Sequence, residues 1–255
     1  MKIIEFTVAM SVAVLVCLGL CGCGPSTAGE CLEQGAAAAT AADWPRALKL
    51  ATRGVRLAPD NVDALLLKAI AAQRCGKSAE AWEAASRAVV LAPRSFTAHY
   101  TQGRIAMAIP ERRAEAVAAL RIALRLRRGD RDTLVALCNL GAETNDPDTL
   151  NFLKMLAVDP EFANSPALYN QLGLEYLRRK NYAAAKRAFV SAWKLDKNDP
   201  EITYNAACFF DRYSSAPRIA ARLYGDYLRL TAGDQAAEPT RKIAAERLAA
   251  LGGAR

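Results

Sequence analysis

Leu168–Asp196 reads LYNQLGLEYLRRKNYAAAKRAFVSAWKLD, with small residues at Gly173, Ala185 and Ala192 and large ones at Tyr169, Leu172, Tyr176 and Phe189. The same columns extend along the chain in both directions. The column through Gly173 reads Gly35, Ala69, Gly103, Cys138, Gly173 and Cys208, at steps of 34 or 35 residues. A second column, 12 residues later, reads Ala47, Ala81, Ala116, Leu150, Ala185 and Ala220. A third reads Gly54, Ala88, Ala123, Ala157, Ala192 and Tyr227, with Pro59 and Pro93 just beyond its first two members. Three columns in phase at this period mark a stacked repeat, because one unit alone cannot bury its apolar face. An irregular helical bundle predicts no such phase. Small residues let two antiparallel helices, and the next pair, approach closely, while the large ones fill the spaces between.

The pattern resembles the tetratricopeptide repeat (TPR), on Tyr169, Leu172, Gly173, Tyr176, Ala185, Phe189 and Ala192. That resemblance implies an all-α, right-handed superhelix, an α-solenoid of about six helix-turn-helix units. The units are 28–61, 62–95, 96–130, 131–165, 166–200 and 201–235. Residues 236–255 then form a capping helix and tail, with Ile243, Leu248 and Leu251 inward and Lys242, Glu246 and Arg247 outward. The fourth unit departs most from the pattern, with Leu150 and Lys154 where Ala and an aromatic are expected. Its second helix is expected to start near Asp146-Pro147, with Pro in the first turn.

Composition suits this architecture. The chain has 255 residues, 52% apolar but only 7% aromatic, which favours close-packed helices over a β-sandwich. A formal charge of +8 favours acidic partners without choosing among lipid, protein and nucleic acid.

The amino terminus supplies an address. After Met1-Lys2 an uncharged, mostly apolar run spans Phe6–Leu20, shorter than the roughly 20 residues of a bilayer span and suited to a signal-peptide core. Leu20-Cys21-Gly22-Cys23 follows and resembles the bacterial lipobox. The resemblance implies a signal peptide over 1–22, lipid on Cys23 and a tether over 23–27; an uncleaved membrane anchor is the alternative. Reading Cys21 as acceptor would place the bulky Leu20 where the peptidase wants Gly or Ala. Gly24 is not the Asp that retains some lipoproteins in the inner membrane, so the outer membrane, facing the periplasm, is the expected location where the organism has one. Thr27-Ala28-Gly29-Glu30 fits a capping box that starts the first helix.

Signals for chemistry are few. Gly76-Lys77-Ser78 has the ending of a phosphate-binding loop, but Ala71 stands where its first glycine belongs. His99 is the single histidine and occupies an aromatic packing position. Cys138 and Cys208 fall in the small-residue column, two units apart, and read as small hydrophobes. Cys31 and Cys75 stand at positions 4 and 14 of adjacent units, an offset of ten positions along near-parallel helices, about 15 Å at the helical rise, against the roughly 7 Å limit for a bridge. No disulfide, metal site, catalytic residue or cofactor beyond the lipid is expected, and an enzyme is the remotest reading.

In TPR proteins peptides usually lie in the concave groove lined by the first helix of each unit. By that resemblance the groove carries Leu66 and Ile70, then Tyr100, Arg104 and Met107, then Asn139. The last two units add Asn170 and Leu174, then Asn205, Phe209 and Arg212. Asparagines can clamp an extended peptide backbone, and apolar neighbours make side-chain pockets. The carboxylate clamp of chaperone-adaptor relatives is not reproduced. A basic cluster, Arg121, Arg125, Arg127, Arg128 and Arg131, reads either as a solvated face or as a dock for anionic lipid, glycan or acidic protein. Nucleic acid is not expected, because no aromatic platform interleaves the arginines. Lipobox plus six repeats also resembles the pilotin-type lipoproteins of type IV pilus assembly. The sequence thus points to an envelope scaffold or assembly factor that binds proteins in its groove, and leaves its oligomeric state open.

Overall fold

The computed structural model describes residues 25–252. The expected signal peptide and the expected lipid acceptor, Cys23, lie outside the described residues. Among the described residues are thirteen α-helices in sequential antiparallel pairs: α1 Ala28–Thr40 with α2 Trp44–Leu57, α3 Val62–Arg74 with α4 Ser78–Leu91, and α5 Phe96–Met107 with α6 Arg113–Leu126. Then come α7 Arg131–Thr144 with α8 Thr149–Ala157, α9 Pro166–Arg178 with α10 Tyr182–Leu195, and α11 Pro200–Arg212 with α12 Pro217–Leu230. A last helix, α13 Glu238–Gly252, packs on α12.

Local chemistry sets where these helices begin. Thr27 and Glu30 form the reciprocal capping box that starts α1. Asn61, Ser95, Asp130, Ser165 and Asp199 each accept an amide hydrogen bond at the start of α3, α5, α7, α9 and α11. The turns inside pairs repeat a left-handed residue at Ala42, Gly76, Asn145, Lys180 and Ser215. Glycine takes that conformation at no steric cost, so Gly76 belongs to a turn, and the adjacent Lys77 ammonium pairs with Glu80 at 3.6 Å.

Packing follows the three columns. A Cβ on Gly103 would sit 2.6 Å from Cγ of Leu120, and one on Gly173 2.6 Å from Cε1 of Phe189. Ala47, Ala81, Ala116, Ala185 and Ala220 are wholly buried, as are Ala88, Ala123 and Ala192. Such close approach brings backbones into contact with almost no side-chain entropy lost.

Two expectations are corrected. α8 starts at Thr149, not at Asp146-Pro147. Asp146 is taken up by the turn, where its carboxylate accepts the Asp148 amide at 2.8 Å. In α13 the inward stripe is Ala244, Leu248 and Leu251, while Ile243 is 45% exposed. Arg247, half-exposed, reaches across to α11, donating Nε and Nη2 to Asp211 at 2.8 Å each. The Asp211 carboxylate, 2% exposed, also accepts the Tyr224 hydroxyl at 3.1 Å. These bonds hold its carboxyl below the ordinary 3.8, Arg247 contributing most.

Candidate partner-binding groove

α1, α3, α5 and α7 touch in succession, and α9 touches α11, whereas successive second helices stand further apart among the described residues. Helices that meet across a repeat lie on the inside of the curve, so the first helices form the inner layer and the second helices fan outward.

The inner layer is richest on α5. The Tyr100 ring stacks on Phe96 at 5.5 Å, and Arg104 lies 5.9 Å from the Tyr100 ring and donates Nη1 to its hydroxyl at 3.3 Å. Half burial raises the Tyr100 pKa, so the phenol stays neutral at physiological pH. Gln73 of α3 donates Nε2 to the Arg104 carbonyl at 3.4 Å, tying the two inner helices. Ile70 and Arg104 are exposed and Met107 half-buried, so this part of the groove offers an apolar floor with a cation.

The other positions divide. Asn139 and Arg212 are exposed, and Leu174 and Asn205 are half-buried. Asn170 is 3% exposed; its Nδ2 donates to Glu201 and its Oδ1 accepts from Asn205 Nδ2, both at 3.1 Å. This amide ladder ties α9 to α11, leaving Asn205 the accessible end. Leu66 is buried against neighbouring helices. Phe209, 1% exposed, packs 5.4 Å from the Phe189 ring. Both side chains belong to the core and not to the groove surface.

The basic cluster also divides. Arg121 donates Nη2 to Asp146 and Nη1 to Asp148, each at 2.6 Å. Burial opposes the Asp146 charge, but the bonds from Arg121 and the Asp148 amide hold its carboxyl below the usual range. Arg131 pairs with Asp159 at 3.0 Å and with Glu161. The Arg127 guanidinium sits 3.7 Å over the Phe96 ring and 3.5 Å from Asp130. Arg125 and Arg128 are exposed and have no ion pair among the described residues. The acids that neutralise Arg121 and Arg131 lie 25–30 residues downstream, in the following turn and joint, beyond any local reading of charge.

His99 is 5% exposed, and its Nε2 lies 3.0 Å from the Pro93 carbonyl, a structural contact. Cys31, Cys75, Cys138 and Cys208 are free thiols. Burial, with Glu175 nearby, pushes the Cys138 thiol up to about 12, far from a reactive thiolate. Among the described residues no cluster of three His, Cys, Asp or Glu could hold a metal, and no helix is long and apolar enough to cross a membrane.

Paired antiparallel helices, an inner layer of first helices and small residues at the crossings define a TPR-type solenoid. Solved structures agree on that fold. YrrB, described as a TPR protein with an unusual peptide-binding site, superposes with a TM-score of 0.63 at 17% identity, over 75% of this chain and 97% of its own. The Pseudomonas aeruginosa pilF structure gives 0.60 at 14% identity, over 84% of this chain and 96% of its own. MamA gives 0.55 at 22% identity, over 64% and 94%. The sequence matches no protein-family model and no curated protein.

Proposed function

We propose that the protein is a lipid-anchored, extracytoplasmic interaction scaffold that holds a partner protein in its inner groove and carries out no chemistry of its own. The observation that carries this reading is the Phe96–Tyr100–Arg104 unit on α5. It presents a half-buried tyrosine and an exposed cation on an inner-layer helix, and the adjoining α3 carries the exposed Ile70. Arg104 can meet a carboxylate or a backbone carbonyl, and Asn139 can clamp an extended backbone. The fold it shares with a protein described as peptide-binding supports a peptide occupant. The likeness to pilF, together with the lipobox resemblance of Leu20–Cys23, supports a pilotin-like role in assembling an envelope complex, at the outer membrane where the organism has one.

Photo-crosslinking groups placed at Ile70, Arg104 and Arg212 in living cells test the groove. They are expected to capture one protein, and one at Glu83, exposed on α4, is expected to capture none. Equal capture from both faces overturns the groove assignment. Incorporation of labelled palmitate tests the anchor separately: it is expected in the wild type and lost in Cys23→Ala, and label persisting in that variant refutes the assignment. A second reading, a dock for anionic lipid or glycan, rests on the unpaired Arg125 and Arg128. Binding of that kind collapses as salt rises, whereas groove binding to an apolar peptide persists.

A further inference from the structure

The outer face of the solenoid carries a cleft between the fifth and sixth helix pairs. The backbones of α10 and α12 stand apart, and side chains bridge them. Between them lies a cleft of about 160 Å³, walled by Phe189 and Trp193 on one side and Ile219 and Arg222 on the other, with Ala206 and Phe210 of α11 beneath. Its lining is apolar, and the Trp193 ring forms part of one wall.

The mouth is cationic and uncompensated. The Arg222 guanidinium lies 5.2 Å and the Lys197 ammonium 5.3 Å from the Trp193 ring centre, so two like charges share one aromatic ring. The Lys186 ammonium lies 6.0 Å from the Phe210 ring. None of the three meets a carboxylate within ion-pair distance among the described residues, in contrast to Arg121, Arg131 and Arg178 elsewhere. Over its whole length α10 contains no acidic residue. Ile219, 42% exposed, forms an apolar lip.

We propose that this cleft docks an acidic segment of a partner protein by taking in one bulky apolar side chain. That side chain fills the slot against the Trp193 ring, and flanking Asp or Glu residues meet Lys186, Lys197 and Arg222. The volume favours a peptide over a lipid tail, since a cavity of about 150 Å³ holds a single benzene-sized ring and has no room for a long acyl chain. The site lies on the opposite face from the groove and depends neither on groove binding nor on the lipid anchor.

The test uses the full-length, detergent-solubilised protein with ¹⁵N-labelled tryptophan and a synthetic peptide bearing one central Leu between Asp and Glu residues. The chain has three tryptophans, Trp44, Trp82 and Trp193, so the indole signals report separately. Titration is expected to shift the Trp193 indole N–H saturably and to leave Trp44 and Trp82 in place. The double variant Lys197→Glu, Arg222→Glu, at two exposed positions, is expected to weaken binding at least about ten-fold with an unchanged melting curve, and Arg104→Ala in the groove to leave it unaltered. The inference is overturned if the Trp193 signal does not move, if a peptide with Ser for the Leu or amides for the acids moves it equally, or if anionic vesicles move it and the peptide does not.

Discussion

The third and fourth helix pairs are neighbours built on the same plan, and they hold together by different means. In the third, α5 and α6 cross at Gly103, where any side chain would meet Leu120, and α6 runs 14 residues with Ala116, Ala119 and Ala123 buried. In the fourth, that column carries Cys138, and a close approach lies three residues further on. A Cβ on Gly141 would fall 2.1 Å from Oγ1 of Thr149. With its crossing displaced, α8 starts late and runs only 9 residues. Polar links replace the missing contact. Arg121 of α6 grips Asp146 and Asp148 from behind, while Arg178 and Arg179 of α9 reach Asn145 and the Pro147 carbonyl from ahead, at 2.7 and 2.6 Å. Where the crossing residue is small, alanine contacts suffice; where the crossing slides along the helix, the chain is held by charges.

Breaking the regular pair at its crossing has the largest expected effect. Gly103→Leu forces a side chain into Leu120 and its backbone amide, 3.3 Å from the added Cβ. It is expected to cost about 3 kcal/mol, the upper part of the range for overpacking, read as a lowered denaturant midpoint. Asp146→Asn tests the charged clamp of the fourth pair and is expected to cost about 2 kcal/mol, the scale of hydrogen bonds to charged groups. The folded pKa of Asp146 lies below the ordinary 3.8. Its contribution is therefore fully present above that pH and fades as pH falls through the lowered folded value. The gap between wild type and variant closes over the same range, as urea titrations at stepped pH will show.

Sharper discrimination comes from milder changes. Thr27→Ala removes the capping-box acceptor at the start of α1 and is expected to cost about 1 kcal/mol, with hydrogen exchange quickening in α1 alone. Cys138→Ala is expected to cost least, below about 1 kcal/mol, because the crossing has moved away from that position. A cost as large as that of Gly103→Leu would show that Cys138 still marks the crossing.

Much of this contrast was written in the columns. The sequence placed small residues where helices cross because the period of 34 is imposed by packing, and packing tolerates little at a crossing. Leu150 in the second column announced that the fourth pair would differ. The start of α8 was not legible, since it depends on Asp146 being claimed by Arg121, 25 residues away. The groove was legible only by helix, not by residue. Consecutive first helices touch, so a position facing inward can be sealed by its neighbour, as Leu66, Asn170 and Phe209 are, or left open, as Arg104 and Asn139 are. Arg247 was assigned to solvent because its helix stripe looked complete without it; its partner Asp211 lies 36 residues upstream.

That pairing has a consequence for the molecule as a polymer. A stack of helix pairs has no intrinsic length: each pair presents to the next the surface it received from the last. At the carboxyl end, Tyr224, Tyr227 and Leu228 would present such a surface to any comparable helix, including one from another copy of the chain. α13 covers that surface, and the Asp211–Arg247 pair, with the Tyr224 hydroxyl on the same carboxylate, fastens it there.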